Sequence, residues 1–247
     1  MKIVVIGGTG LIGSKLVARL GEYGHEAVPA APSTGVNTLT GAGLKEVLQG
    51  AEVLVDVSNS PSFADDDVMK FFRTSTTNLL AAAEAAGVGH YVALSVVGTE
   101  RLPESGYFRA KVAQEELIKG SGLPYSLVHA TQFFEFAGSI ADSATTDGTV
   151  RLSGAGVQPM AADDVAAAVG RTAAGTPVNG AVEVAGPEVF GLDQWIRTVL
   201  TARSDPREVI TDPQAPYFGA VLEQQSLLPG EGVQVAPTRL SEWLARQ

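Results

Sequence analysis

The sequence predicts an α/β protein built on a doubly wound parallel sheet, with a small irregular lobe toward its C-terminus. Three observations carry this. Short β-branched runs alternate with helix-period segments through the first half of the 247 residues. Those runs are near-continuous in apolar residues, as strands buried on both faces are. Glycines at 7, 10 and 13 stand between the first run and the first helical segment, where such sheets turn from strand to helix.

The elements follow in order. Lys2–Ile6 is the first strand, Ser14–Leu20 the first helix and Ala27–Ala30 the second strand. Val53–Val57 is the third strand, stopped by the turn-prone Ser58-Asn59-Ser60-Pro61. From Asp65 to Ala86 the apolar positions Val68, Phe72, Leu79, Ala83 and Ala86 recur at multiples of three and four, one stripe of a long helix. Asp65-Asp66-Asp67 resembles a metal cluster, but acidic residues at a helix start complement its dipole, and Asp163-Asp164 reads the same way. His90–Ser95 is the fourth strand, Phe108–Lys119 a helix and Tyr125–Val128 the fifth strand.

After Thr131 the rhythm loosens. Asp163–Ala173 and Leu192–Ala202 read as helices, Ala181–Ala185 as extended and Leu240–Ala245 as a short closing helix. Ser204–Tyr217, with Pro206, Pro213 and Pro216, reads mostly as loop. No repeat or interdomain linker appears. Residues 1–247 therefore read as a single domain, with 132–247 supplying most of a small lobe too irregular to promise a second core.

Composition excludes several classes. Lys and Arg number 17 against 27 acidic residues, a net charge of −10 with a pI near 4.8. Phosphate-backbone binding needs clusters of Lys and Arg, and none is present, so nucleic acid is not an expected partner. Zero cysteines rule out disulfides, zinc–thiolate sites and a thiol nucleophile. The three histidines, His25, His90 and His129, are scattered singly, and no metal site is expected. No apolar run reaches the ~18 residues of a membrane span. The opening Met1–Gly13 superficially copies a signal peptide, but Lys15 and Arg19 interrupt it. The expectation is a cytoplasmic protein with no membrane partner.

Gly7, Gly10 and Gly13, with Thr9, Leu11 and Ile12 between them, form G-x-x-G-x-x-G. Glycine allows the tight turn, the close approach of backbone to a diphosphate, and close packing of helix on strand. The amides of the following helix then face the negative charge. This points to a Rossmann-type dinucleotide site, with Ser58 and Asn59 at the end of the third strand as further candidate contacts. At the tip of the second strand, Pro29-Ala30-Ala31-Pro32-Ser33-Thr34 contains neither the carboxylate of an NAD-selective site nor an Arg. Ser33 and Thr34 either bond a 2′-phosphate or simply make a turn. The missing carboxylate favours NADP over NAD.

Tyr107 and Lys111 are four apart, on one face of a helix. Twelve residues upstream Ser95 ends a strand, at the sheet edge where open α/β sheets bind ligands. An ammonium beside a phenol favours phenolate and lowers its pKa, so that tyrosine can protonate a developing alkoxide. Ser95, Tyr107 and Lys111 are therefore the candidate catalytic set.

The sequence is similar to the short-chain dehydrogenase/reductase superfamily, specifically its atypical, NmrA-like branch. The similarity rests on Gly7–Gly13, Leu94-Ser95-Val96-Val97-Gly98, Tyr107–Lys111 continuing into Gln114–Leu117, Leu123–Phe134, and Met160–Ala166. It implies Tyr107 as acid/base, Lys111 also on the nicotinamide ribose, Ser95 on the substrate oxygen, and Thr131 to Phe134 lining the nicotinamide. Two departures stand out: His129 where relatives in the branch commonly carry Arg, and no basic residue after the second strand.

Phe63, Phe133, Phe134, Tyr217 and Phe218 are candidates for an apolar substrate pocket, each weighed against a simple core role. The expected activity is NAD(P)H-dependent hydride transfer to a carbonyl, quinone or similar small apolar substrate, with a homodimer as the candidate assembly. A non-catalytic dinucleotide sensor and a nucleotide-sugar epimerase or dehydratase are the rival readings; the short acidic lobe argues against the latter.

Overall fold

A computed structural model describes residues 1–247. The first half runs β1 (Lys2–Ile6), α1 (Leu11–Glu22), β2 (Glu26–Ala30), α2 (Leu44–Leu48), β3 (Val53–Asp56), α3 (Asp65–Ala86), β4 (His90–Val96), α4 (Gly106–Lys119) and β5 (Tyr125–Ala130). The second half carries α5 (Ala137–Ser143), β6 (Thr145–Thr146), β7 (Thr149–Leu152), β8 (Gly156–Val157), α6 (Ala162–Ala174), β9 (Gly180–Ala185) and β10 (Phe190–Gly191). It closes with α7 (Leu192–Ala202), β11 (Glu208–Thr211), β12 (Pro216–Tyr217), β13 (Ala220–Val221), β14 (Gln234–Val235) and α8 (Leu240–Leu244).

The central sheet has seven parallel strands in the order β14-β9-β5-β4-β3-β1-β2. Strand order reverses at β1, which puts the topological switch point, and the ligand crevice, at the carboxyl ends of β1 and β3. Val5, Val55, Val92 and Val128 pack against Leu16, Leu20, Val165 and Val169 of α1 and α6. Val4, Leu54, Tyr91 and Leu127 pack on the other face against Leu48, Leu79, Ala83 and Ile118 of α2, α3 and α4. Pro29 lies within β2, which pairs only with β1; an edge strand tolerates the missing N–H.

One expectation fails in the C-terminal part. Ser204–Tyr217 is mostly loop and turn as expected, but it carries two short strands: β11 pairs in parallel with β7, and β12 turns back on β13. Its prolines flank Val209 and Ile210 rather than interrupt them. The lobe also holds a core of its own, a cluster of 23 buried residues around Phe134, Val150, Leu192, Trp195, Ile196 and Trp243, joined by Leu102 and Phe108 from the first half. These residues come from short elements far apart in sequence, so no single segment announces them by periodicity. Finally, α1 starts at Leu11. Gly13, a poor helix former, masks that first turn in the sequence.

Candidate cofactor and active site

The glycine loop joins β1 to α1. Gly7 has φ +77°, and its N–H donates to the carbonyl of Ala30 at 2.9 Å, tying the loop to the end of β2. A side chain at Gly13 would overlap the Gly7 carbonyl oxygen and lie 2.6 Å from the Gly8 Cα. One at Gly8 would lie 2.6 Å from the Pro29 Cα, so Gly8, not singled out in the sequence motif, is equally required. Gly10 differs: its added Cβ would meet only the Gly7 oxygen, at 3.3 Å. Gly10 is also the N-cap of α1, with no side chain capping the first turn. Free helix amides behind an open glycine fit a diphosphate. Thr9 and Leu11 are exposed beside it, whereas the Ile12 side chain belongs to the core and leaves only its backbone to the site.

At the ribose end Thr34 Oγ donates to the Ala31 carbonyl (3.0 Å) and accepts the Ala31 N–H (2.9 Å). Its hydroxyl holds the turn, which leaves the exposed Ser33 as the free hydroxyl. Ser58 gives its N–H and O–H to Asp56, at 3.0 and 2.6 Å. The Asn59 side chain accepts the Ser60 N–H at 2.9 Å.

Tyr107 and Lys111 share α4, but no hydrogen bond joins them. Lys111 is buried; its ammonium donates to the Leu94 carbonyl at 3.0 Å and to Gln114 Oε1. It also lies 4.4 Å from the Phe72 ring centre. Gln114 in turn donates from Nε2 to Asp56 at 3.1 Å. Burial raises the Asp56 carboxyl, offset in part by the Ser58 bonds and the Lys111 charge. Burial lowers Lys111 to about 8. Burial also pushes the Tyr107 hydroxyl up to about 12. The anticipated lowering of the phenol by its ammonium is therefore absent, because Lys111 is spent on β3 and β4. Tyr107 stays protonated across neutral pH.

Ser95 and His129 are register partners on β4 and β5. The Ser95 hydroxyl donates to Glu115 of α4 at 2.6 Å, and His129 Nε2 lies 3.0 Å from the same carboxylate oxygen. Lys119 approaches the other oxygen at 3.3 Å. Burial alone would raise the Glu115 carboxyl; His129, the Ser95 hydroxyl and Lys119 outweigh it and hold it near about 2.

Three of the five pocket candidates meet over Tyr107. Phe63, from the loop after β3, lies 5.6 Å from the Tyr107 ring and 5.4 Å from Phe218. Phe218 lies 5.7 Å from Tyr107 and 4.8 Å from Tyr217. The other two stand elsewhere. Phe134 is fully buried against Trp243 in the lobe core, and Phe133 stacks on Phe136 at 5.3 Å. The Thr131 hydroxyl donates to the Gln158 carbonyl at 2.6 Å. Gln132 was expected only as part of the Thr131 to Phe134 segment lining the nicotinamide; its buried carboxamide lies beside the Tyr217 hydroxyl. Its signal was a carboxamide directly before the aromatic stretch Phe133–Phe136.

Comparison with known proteins agrees with the fold and with NAD(P)H binding. A family described as NAD(P)H-binding matches residues 7–174. The (4-alkanoyl-5-oxo-2,5-dihydrofuran-3-yl)methyl phosphate reductase of Streptomyces griseus subsp. griseus is 31% identical over 205 residues, 76% of this chain and 69% of that protein. Photosystem II assembly factor Ycf39 of Cyanophora paradoxa is 26% identical over 55% of this chain and 46% of its own length. Among solved structures, MoeE5 in complex with UDP-glucose and NAD superposes with a TM-score of 0.75 at 19% identity, covering 100% of this chain and 97% of that one. A dTDP-glucose 4,6-dehydratase from Streptomyces venezuelae, with NAD bound, gives 0.72 at 16%, covering 100% and 95%. At these identities the structures speak for the fold alone. Fold and glycine loop together define an NAD(P)-binding oxidoreductase class, the atypical short-chain dehydrogenase/reductases. The chain belongs to the NAD(P)H-binding family within it.

Proposed function

We propose that the protein is an NADP(H)-dependent reductase of a small apolar carbonyl compound or quinone, in the cytoplasm, with residues 1–247 acting as one domain. The observation that carries this reading is a protonated phenol, Tyr107, at the carboxyl edge of the sheet beneath two exposed aromatic rings. The bound nicotinamide supplies the hydride. Tyr107 donates its proton to the oxygen that becomes an alkoxide, and a phenol kept neutral by burial is a donor rather than a base at pH 7. Phe63 and Phe218 exclude water from that oxygen. Ser95 and Lys111 complete the set as positioning groups: one fastens β4 to α4 through Glu115, the other fastens α4 to β3 through Gln114. The absent carboxylate after β2 and the free Ser33 hydroxyl support NADP over NAD. Stopped-flow oxidation of bound NADPH by a panel of ketones and quinones tests the activity. No oxidation by any of them overturns it.

One observation favours a second reading, a non-catalytic NAD(P)-binding regulator. The Ser95 proton is held by Glu115 and the Lys111 ammonium by Leu94 and Gln114, so neither is free to face a substrate. Cofactor-dependent binding of a partner protein without turnover is the outcome that reading requires.

A further inference from the structure

Gln132 carries two buried polar atoms, Nε2 and Oε1, and neither has a hydrogen-bond partner. The residue is 6% exposed. A buried amide left unpaired destabilises the fold, and native structures rarely retain one without a use. Its own backbone is well anchored, since the Gln132 carbonyl accepts the Met160 N–H at 2.8 Å. The side chain is therefore held in place by the chain around it, with the Tyr217 hydroxyl beside its amide.

What stands beside that amide is the aromatic box. Tyr217 is 8% exposed, and its hydroxyl faces both Gln132 and Tyr107. Phe218, one residue on, touches Tyr107 and Phe63. The five side chains are uncharged: three offer flat rings or hydroxyls around Tyr107, and Gln132 offers one donor and one acceptor together.

We infer that Gln132 and Tyr217 are the specificity-determining pair of this site, and that they bind a hydroxyl or enol carried by an uncharged planar substrate, away from the carbonyl at Tyr107. The inference rests on the reductase reading for the position of that carbonyl. A hydroxyl is the smallest neutral group that accepts from Nε2 or the Tyr217 hydroxyl while donating to Oε1. Flat rings on two sides select a flat molecule. No Lys or Arg belongs to the group, so a phosphorylated substrate, of the kind the Streptomyces griseus relative is named for, finds no counter-charge here.

The test is calorimetric and needs no turnover. 4-Hydroxyacetophenone and acetophenone are titrated into the 247-residue protein saturated with NADP. The wild type should bind the hydroxylated ketone about tenfold more tightly. In Gln132→Leu that preference should shrink to within about twofold, while Tm rises by about 2–4 °C because an unpaired amide has left the interior. Tyr217→Phe should reduce the preference in the same direction and serves where Gln132→Leu does not fold. Equal affinities in the wild type, or an unchanged preference in both variants, overturns the inference. So does a Gln132→Leu protein whose only loss is NADP affinity, which would assign the amide to the cofactor. Discrimination between the two ketones in a protein whose bound NADPH is oxidised by none of the ketones and quinones of the panel retains the inference and sinks the reductase reading, so the two fail separately.

Discussion

The Ser95 hydroxyl reaches across from the end of β4 to donate to Glu115 on α4 at 2.6 Å, and His129 stands 3.0 Å from the same oxygen. The carboxylate thus closes a polar bridge between two strands and a helix where the sheet meets the candidate site.

That bridge makes acid stability depend on Glu115. Its carboxyl titrates near about 2 in the fold against an ordinary 4.5. A depressed carboxylate contributes stability that is complete above the unfolded value and is lost as pH falls from 4.5 toward 2. The shift corresponds to about 3 kcal/mol. Urea unfolding at pH 6 and pH 3 should show about 2 kcal/mol of that loss in the wild type and much less of it in Glu115→Gln. Equal losses in both would remove Glu115 as the cause.

Tyr107→Phe should lower ketone reduction by at least about a hundredfold with little change in cofactor affinity, because general acid catalysis supplies about 10²–10⁴. Steady-state kinetics with NADPH decide it. A quinone acceptor, which can take protons from water, should show a smaller effect.

The same phenol sets the alkaline limit. With its pKa raised to about 12, Tyr107 contributes stability that is present below the ordinary phenol value of 10 and lost as pH rises from there toward 12. Tyr91 and Tyr217, both raised by burial, act in the same direction. Thermal unfolding between pH 9 and 11 should show Tm falling, and falling less steeply in Tyr107→Phe.

Lys111→Ala should unfold more readily than Tyr107→Phe. Removing the ammonium strips Gln114 and the Leu94 carbonyl of their donor and leaves Asp56 buried without a nearby cation, a change of about 3 kcal/mol or more. Denaturant midpoints for the two variants should separate accordingly; coincident midpoints would show that Lys111 is not a structural tie.

Two glycine variants should part company. Gly10→Val should fold and lose NADPH binding, since only one atom stands near the new Cβ. Gly13→Ala should lose binding and stability together, since its Cβ overlaps the Gly7 backbone. Calorimetry paired with circular dichroism distinguishes these outcomes.

Much of the fold was legible in the sequence because parallel strands buried on both faces announce themselves locally. The 65–86 helix was legible to the residue, bounded by three aspartates and Gly87. The lobe was not, since Trp195, Phe134 and Trp243 converge from segments that show no period of their own. At the site, helical spacing placed Tyr107 and Lys111 on one face. It was silent on what that face met: the Leu94 carbonyl and Gln114 captured the ammonium, and Gln114 tied α4 to Asp56 of β3, a pairing that only packing creates.

Phe218 sits at φ +47° beside Gly219 at φ +86°, in the tight turn linking β12 to β13. A conformation unfavourable to a bulky side chain is thus kept at the tip of a hairpin remote in sequence from the dinucleotide loop. On the proposed reading, cofactor use and substrate choice reside on separate segments of the chain. A handful of residues at that hairpin can be exchanged to admit a new molecule while the glycine loop, β1 and α1 are left as they are.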